Sequence, residues 1–166
     1  MSETLTRQAA GIIHTTPNLV LATSPGGERP QPRNVWLFFG YEPAGNQLYL
    51  YWTSRHDSRH SRVIRDQNPM VGIGIADSTA SPGTGVGLSI EAVAVELTDP
   101  EEIARGRAAG GLRSPARDPD ETFTGTAPRR VYRATPERIE INQLDTPLQV
   151  ATLGLVRCLE DIRNGN

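Results

Sequence analysis

The chain has 166 residues, of which 37% are hydrophobic and 22% are charged, and its formal net charge is −2. This length is enough for one domain with a buried core, and the near-neutral charge argues against a general nucleic-acid or membrane binder, which needs a broad basic surface. All 17 basic residues are arginines, which excludes mechanisms that need a lysine, such as Schiff-base formation.

The single cysteine, Cys158, excludes a disulfide within the chain. No stretch of the sequence is apolar over the length of a signal peptide or of a membrane span. We therefore expect a soluble cytoplasmic protein.

Hydrophobic spacing predicts a helix and then a series of strands. The apolar positions between Leu5 and Thr15 have helical spacing and define an N-terminal helical segment, residues 1–16. The next three apolar runs, "LVLATS", "QPRNVWLFF" and "QLYLYWT", are typical of strands, and the segments "PGGERP" and "EPAGN" between them are typical of turns.

The central part of the chain begins with a short helix. The helix is predicted from about Ser58 to Gln67 and ends at Asn68-Pro69. The run "MVGIGIA" predicts a fourth strand and "LSIEAVAVELT" a fifth, while the glycine-rich "DSTASPGTGVG" between them is interpreted as a connector.

The last third of the chain adds helices and one strand. Asp99 and Pro100 begin a helix, residues 110–128 are interpreted as a loop, and "RRVYRATPERIEI" predicts a strand that Pro136 can interrupt. A closing helix, residues 145–163, is predicted with its cap at Asp145 or Thr146. Short hairpin connections demand antiparallel pairing, so we predict a mainly β (α+β) fold, with six strands closing into a barrel over residues 18–142, in a single domain, 1–166.

The predicted helix at Ser58 carries charges of an unexpected sign. Ser58 can cap the helix, which leaves Arg59 and His60 in the first turn, where cations oppose the helix dipole at a cost of about 0.3–1 kcal/mol each. A bound phosphate reverses that penalty, because free backbone N–H groups and all three side chains can donate hydrogen bonds to it. The other cations of this segment are interpreted as a solvated face paired with Asp57 or Asp66: Arg55, Arg62 and Arg65.

Arg33 is a second unusual charge, because it lies in an otherwise apolar and aromatic strand. In an antiparallel meander its side chain can reach the start of the helix, so two arginines would converge on a phosphate. His56 and His60 have the spacing of metal ligands on a helix, but His56 precedes the helix and no third histidine lies nearby in the sequence, so no metal site is predicted. We find no serine-hydrolase motif.

These segments, in this order, resemble the pyridoxamine 5′-phosphate oxidase-like family of FMN-binding split barrels. The matching pattern is a strand with an Arg before apolar residues, a strand ending in aromatic-Thr-Ser, a Ser-Arg-basic step, and a helix closed by Asn-Pro. It covers residues 19–99 and the late strand 131–141. The resemblance implies an antiparallel split β-barrel that works as a homodimer, with FMN at the dimer interface.

The resemblance also implies a cofactor site. Arg33 and Arg59 would hold the FMN phosphate with help from Ser58, and His60 stands where the family most often has lysine. The residues implied to lie against the isoalloxazine ring or the ribityl chain are Asn34, Val35, Trp36, Trp52, Thr53 and Ser54. The resemblance identifies no catalytic residue, because the flavin itself carries the chemistry in such enzymes.

The function implied is an FMN-dependent oxidoreductase acting on an unknown small molecule. The C-terminal substrate signature of the oxidase is absent, which argues against pyridoxamine 5′-phosphate as the substrate. Related branches bind the deazaflavin F420 or haem. An F420-dependent reductase and a non-catalytic flavin- or haem-binding module are therefore the alternatives.

Overall fold

A computed structural model describes residues 3–26, 33–76, 85–111, 122–143 and 146–165. The helices of this part are α1 (Glu3–Thr15), α2 (Arg59–Asp66), α3 (Pro100–Gly111) and α4 (Thr152–Asn164). Its strands are β1 (Asn18–Thr23), β2 (Arg33–Phe38), β3 (Gly40–Ala44), β4 (Gln47–Arg55), β5 (Met70–Ala76), β6 (Gly87–Glu96), β7 (Arg129–Gln143) and β8 (Thr146–Gln149). Each helix in the described ranges is too short or too polar to cross a membrane.

The strands form one antiparallel sheet in the order β2-β1-β5-β6-β7-β4-β3, with β8 paired to β7. The sheet curls into a half-barrel, so that β2, at one end of this order, comes close to β4 near the other end. The predicted mainly β fold, an antiparallel split barrel with flanking helices, is confirmed. The described part has eight strands rather than six.

Two short edge strands explain the difference in strand number. The segment from Glu42 was predicted as a turn, but β3 includes it and pairs with β4, and the turn is confined to the residues after Ala44. The cap of the closing helix was predicted at Asp145 or Thr146, but β8 occupies residues 146–149 and α4 begins only at Thr152. The predicted start of that helix is therefore wrong, because Pro147 lies in an edge strand, where a missing N–H is tolerated.

Pro136 does not interrupt β7. The register between β6 and β7 shifts at Glu91/Ala92, so that Ala92 is opposite Pro136 and Glu91 is opposite Arg138. This irregularity takes up one extra residue in β7 and accommodates a proline that cannot donate to the ladder.

The main core fills the inside of the half-barrel. It consists of the inward-facing side chains of the strands, covered by α1 and α4 through residues such as Ile13 and Leu155. A smaller second core lies on the other face of β4 and β7, under α3, and its buried members are Tyr51, Leu97, Ile103, Phe123 and Val131. The middle of β4 and the part of β7 beside it are therefore buried on both faces.

The second core is tightly packed at Gly106 of α3. A Cβ added there would lie 2.8 Å from Tyr51 Cδ1 and 2.9 Å from Val131 Cγ1, so only glycine fits. Phe123 is held in the left-handed region at φ 59°, with the guanidinium groups of Arg107 and Arg129 at 4.9 and 5.6 Å from its ring centroid. The packing of this ring holds the segment before β7 in a conformation that is unfavourable for phenylalanine.

Candidate functional site

The candidate site lies where β4 ends and α2 begins. Ser58 has extended backbone angles, φ −65° and ψ 154°, and its Oγ accepts the backbone N–H of Ser61 at 3.4 Å. Ser58 is therefore the N-cap of α2, and Gln67 is its C-cap. Both ends match the helix predicted from the sequence, because serine caps and Asn-Pro stops are local signals.

His60 points back from the first turn of α2 to the end of β4. Its Nε2 lies 2.6 Å from Ser54 Oγ and 3.1 Å from Ser58 Oγ. Burial lowers the pKa of His60 below its ordinary value, so the imidazole is neutral at neutral pH. The structure thus brings together three of the predicted site residues: Ser54, Ser58 and His60.

A buried chain of hydrogen bonds lies beneath this group. Ser58 Oγ lies 2.8 Å from Ser61 Oγ, and the Ser61 side chain also bonds the phenol of Tyr132. Tyr132 donates its hydroxyl to Glu96 Oε2 at 2.9 Å. Ser61 and Tyr132 are both fully buried, and burial is the main cause that raises the pKa of Tyr132. The phenol therefore stays protonated.

Glu96 is the anionic end of that chain. Its carboxylate also pairs with Arg65 Nη1 at 3.4 Å and with Arg130 Nε at 3.3 Å. Arg130 in turn donates to the carbonyls of Gly125 and Ala127 at 2.7 and 2.6 Å. The first turn of α2 is thus tied to β6, to β7 and to the segment that precedes β7.

The remaining arginines of this region lie on the surface. Arg55 pairs with Asp57 at 2.9 Å, and its hydrogen bonds lower the pKa of Asp57 to about 2. Arg65 pairs with Asp66 at 2.9 Å, in agreement with the predicted solvated face, although it also reaches Glu96. Arg59 and Arg62 are both exposed, so the first turn of α2 presents a cation to solvent.

The residues predicted to border a flavin ring fall into two groups. On β2, Asn34 and Trp36 are exposed and Val35 is half-buried, while at the end of β4 Thr53 is exposed. Trp52 instead faces the main core, only 2% exposed, and stacks on Tyr132 with centroids 5.7 Å apart and an interplanar angle of 12°. Its indole Nε1 has no hydrogen-bond partner among the described residues.

Arg33 is the one predicted site residue whose side chain lies outside the described part. Its backbone pairs with Thr23 of β1 at the start of β2. Whether its guanidinium reaches the start of α2 stays a prediction.

The outer face of the sheet carries a shallow groove beside β2. A cavity of about 340 Å³ extends over Ala22, Asn34, Gly72 and Gly74, and an adjoining one of about 330 Å³ reaches Trp36. Its floor consists of small side chains and glycines, and its β2 side carries Trp36 and Phe38, which are 63% and 56% exposed. The groove offers a flat apolar surface next to polar residues.

The donor groups at α2 fit an anion better than a metal ion. Serine hydroxyls, a guanidinium, backbone N–H groups and a neutral imidazole all suit a phosphate. Within the described ranges, no group of three or more His, Cys, Asp or Glu side chains could hold a metal ion. His14 is bonded to Tyr41 through Nδ1 at 2.8 Å, far along the chain from this site.

Sequence reasoning did not identify Ser61, Glu96, Tyr132 and Arg130. Ser61 lies on the same helix as the predicted phosphate-binding residues Arg59 and His60. A serine at an interior helical position was the one sequence signal that could have drawn attention to it. Glu96 and Tyr132 are 36 residues apart in the chain, and only the pairing of β6 with β7 brings them together.

Comparison with protein families gives one match. The family model described as pyridoxamine 5′-phosphate oxidase matches residues 5–143. No curated protein matches the sequence of this chain.

Solved structures share the fold at low sequence identity. A haem-binding protein from Mycobacterium smegmatis has a TM-score of 0.72 at 16% identity, with 95% of this chain and 61% of that protein covered. A protein from Clostridium acetobutylicum, described as belonging to the pyridoxinephosphate oxidase family, has a TM-score of 0.66 at 10% identity, with 91% and 96% covered. The haem storage protein HutZ from Vibrio cholerae has a TM-score of 0.57 at 20% identity, with 80% and 90% covered. This chain thus spans less than two thirds of the Mycobacterium smegmatis protein, and identities this low show the fold alone.

Proposed function

We propose, because this chain belongs to the pyridoxamine 5′-phosphate oxidase family, that it is an FMN-dependent oxidoreductase acting on a small molecule. The observation that carries the proposal is the first turn of α2, where Ser58 caps the helix and Arg59 and His60 follow. A helix with an arginine in its first turn is stabilised when an anion binds there, and the phosphate of FMN is such an anion.

The residues present fit this cofactor. Arg59 and the backbone N–H groups at the start of α2 would hold the phosphate, and Ser54, Ser58 and His60 would lie beside it. Asn34 and Trp36 would border the ring from β2. When bound, FMN would supply the transfer of a hydride or of electrons, and the chain would supply binding, orientation and exclusion of water.

We propose a different role for Trp52 from the one that the family resemblance implies. Its ring is buried and stacks on Tyr132, so we propose that it supports the end of β4 from within the core. Thr53 and Ser54, which follow it, would then be the groups at the end of this strand that approach the ribityl chain.

A second copy of the chain is the partner we propose for the grooved face of the sheet. Trp36 and Phe38 are exposed on that face, and exposed aromatic side chains beside an apolar groove are typical of interfaces. A homodimer would cover these rings and enclose the ligand between two subunits. Trp36→Glu should yield a monomer with weakened FMN binding, measured by light scattering and by titration. A dimer that tolerates this substitution would contradict the proposal.

A haem- or flavin-binding module without turnover is the second candidate, since two similar structures are named as haem-binding and haem storage proteins. F420 in place of FMN is the third. The cytoplasmic location expected from the sequence stays a prediction.

The visible spectrum of the purified protein tests these alternatives. We expect flavin absorption, release of FMN on heating, identified by mass spectrometry, and uptake of FMN in preference to F420 or haem at equal concentration. A protein that takes up no FMN would refute the main proposal. Bound flavin that neither reduced nicotinamides nor oxygen can cycle would support the module instead.

A further inference from the structure

The geometry points to Glu96, Tyr132 and Ser61 as positioning residues: through a chain of hydrogen bonds they fix the tautomer of His60, with hydrogen on Nε2, and leave the Ser54 hydroxyl free to donate to a bound phosphate. This inference rests on the proposed phosphate site. It concerns residues that neither the family pattern nor the sequence assigns to any role.

The direction of each hydrogen bond follows from the carboxylate at one end. A carboxylate can only accept hydrogen bonds, so Tyr132 donates its one hydroxyl hydrogen to Glu96 Oε2, 2.9 Å away. The phenol oxygen must then accept from Ser61, in accordance with the lowering effect of that bond on the pKa of Tyr132. The carboxylate is itself held in place by Arg65 and Arg130.

The directions of the hydrogen bonds of Ser61 and Ser58 follow in the same way. Because Ser61 donates its hydroxyl hydrogen to Tyr132, its oxygen accepts the hydroxyl hydrogen of Ser58, with the two Oγ atoms 2.8 Å apart. Ser58 has then spent its own hydrogen, and its oxygen accepts the backbone N–H of Ser61 at 3.4 Å. Toward His60 Nε2, at 3.1 Å, the Ser58 oxygen can act only as an acceptor. A hydrogen on Nε2 completes this bond, whereas the opposite tautomer would leave a lone pair of Nε2 facing a lone pair of the Ser58 oxygen.

This tautomer determines what Ser54 can do. Nε2–H also faces Ser54 Oγ at 2.6 Å, so Ser54 accepts from the imidazole and keeps its own hydrogen for another acceptor. A phosphate oxygen at the start of α2 is such an acceptor. With the opposite tautomer, Ser54 would donate its hydrogen to Nε2, and the phosphate would lose one hydrogen-bond donor.

Nuclear magnetic resonance measures the tautomer directly. The chain has 3 histidines, and a long-range ¹H–¹⁵N correlation spectrum above pH ~8, where histidine is neutral, distinguishes protonated from unprotonated ring nitrogens. Absence of one signal set in His60→Gln identifies His60. We expect hydrogen on Nε2 in the wild type and a shift toward Nδ1 in Tyr132→Phe, because Ser61 and Ser58 are then free to turn their hydrogens toward His60.

Two further variants keep the test independent of folding. Ser61→Ala breaks the chain at its next link without touching the stacked rings, and should shift the tautomer in the same direction. Tyr51→Phe removes a buried phenol bonded to Glu42 at 2.8 Å in the second core, and should leave the tautomer unchanged. Hydrogen on Nδ1 in the wild type, or a tautomer that ignores both Tyr132→Phe and Ser61→Ala, would overturn the inference.

Ligand binding gives the second readout. Loss of one hydrogen-bond donor should reduce the ratio of FMN to riboflavin affinity roughly 3- to 10-fold in Tyr132→Phe and Ser61→Ala, since riboflavin lacks the phosphate. An unchanged ratio would overturn the assignment of Ser54 as a phosphate donor. If the wild type binds no FMN, the proposed function fails, but the tautomer measurement still decides whether the chain of hydrogen bonds positions His60.

Discussion

Replacement of Ser58 by aspartate separates its capping role from its proposed place at the phosphate, because the two make opposite demands on charge. Aspartate caps a helix about as well as serine, and a negative charge at the start of a helix adds about 0.3–1 kcal/mol of stability. The same carboxylate would face a phosphate of like charge. Ser58→Asp should therefore keep the fold while removing the ligand.

The chain contains an internal precedent for an aspartate cap. α3 begins after Asp99, whose Oδ1 accepts the backbone N–H groups of Glu101 and Glu102 at 3.0 and 2.9 Å. Its first turn is acidic, which suits the helix dipole, whereas the first turn of α2 is basic. The proposed phosphate site accounts for this contrast, because a bound anion would offset the unfavourable charge at the start of α2.

The magnitudes follow from these contacts. In unliganded Ser58→Asp, the gain from the dipole offsets the loss of one hydrogen bond to Ser61, worth about 1 kcal/mol, so the free energy of unfolding should stay within about 1 kcal/mol of wild type. Two like charges about 4 Å apart near a protein surface repel by about 4 kcal/mol, so FMN affinity should fall by more than roughly 100-fold. Riboflavin affinity should change little.

Ser58→Ala is the matched control. It loses the cap, at a cost of about 1 kcal/mol, but it places no negative charge beside the phosphate, so FMN affinity should fall far less than in Ser58→Asp. Alanine should thus give the less stable protein and aspartate the weaker FMN binder, as measured by urea unfolding and by quenching of flavin fluorescence. If Ser58→Asp binds FMN as well as Ser58→Ala does, the phosphate does not lie at the start of α2.

Three further predictions concern single positions. Arg59→Ala should weaken FMN binding about 10- to 100-fold through loss of a charged hydrogen bond, whereas Arg62→Ala, also on the exposed side of α2, should not; equal losses in titrations would contradict this placement. Gly106→Ala should destabilise the protein by about 1–3 kcal/mol through overpacking, while Gly11→Ala in α1, with open space around the added Cβ, should stabilise it by about 0.5–1 kcal/mol; denaturant unfolding that ranks them the other way would refute the packing. Burial lowers the pKa of His60, so the unfolded state binds more protons in acid and the wild type should lose stability as pH falls below the ordinary histidine pKa of about 6.5. Between about pH 7 and pH 5, the free energy of unfolding should therefore fall less in His60→Gln than in the wild type. Equal falls in the two proteins would show that His60 does not contribute.

Local signals in the sequence were enough for the elements around the site. A capping serine, helical spacing and Asn-Pro define α2 within a residue at each end, and alternation of apolar residues defines most of the strands. β3 and β8 were missed because an edge strand depends on the partner it finds, and β8 exists only through its pairing with β7. Pro147 near the start of this segment fits the first turn of a helix as well as an edge strand, so the residues of the segment alone do not distinguish a helix from a strand.

The residues of the candidate site also divide into those that local sequence predicts and those that depend on long-range strand pairing. Ser58, Arg59 and His60 are adjacent in sequence, and their position at the start of a helix was predictable. Trp52 was assigned to the cofactor, although it shares its side of β4 with the buried Leu50, and strand alternation alone would have placed it inside. The residues beneath His60 come from β6 and β7, and only the long-range pairing of these strands could reveal them.

Burial of the middle of β4 and the part of β7 beside it on both faces has a consequence for how the molecule opens. Backbone amides of doubly covered strands exchange with deuterated solvent only through the largest opening events, whereas a short surface helix opens locally and often. The middle of β4, from Leu48 to Trp52, therefore belongs to the slowest-exchanging part of the chain, and α2 to a faster one. Ligand binding at the junction of β4 and α2 would slow exchange in α2 far more than in β4, because it would order a helix against a sheet that is already fixed.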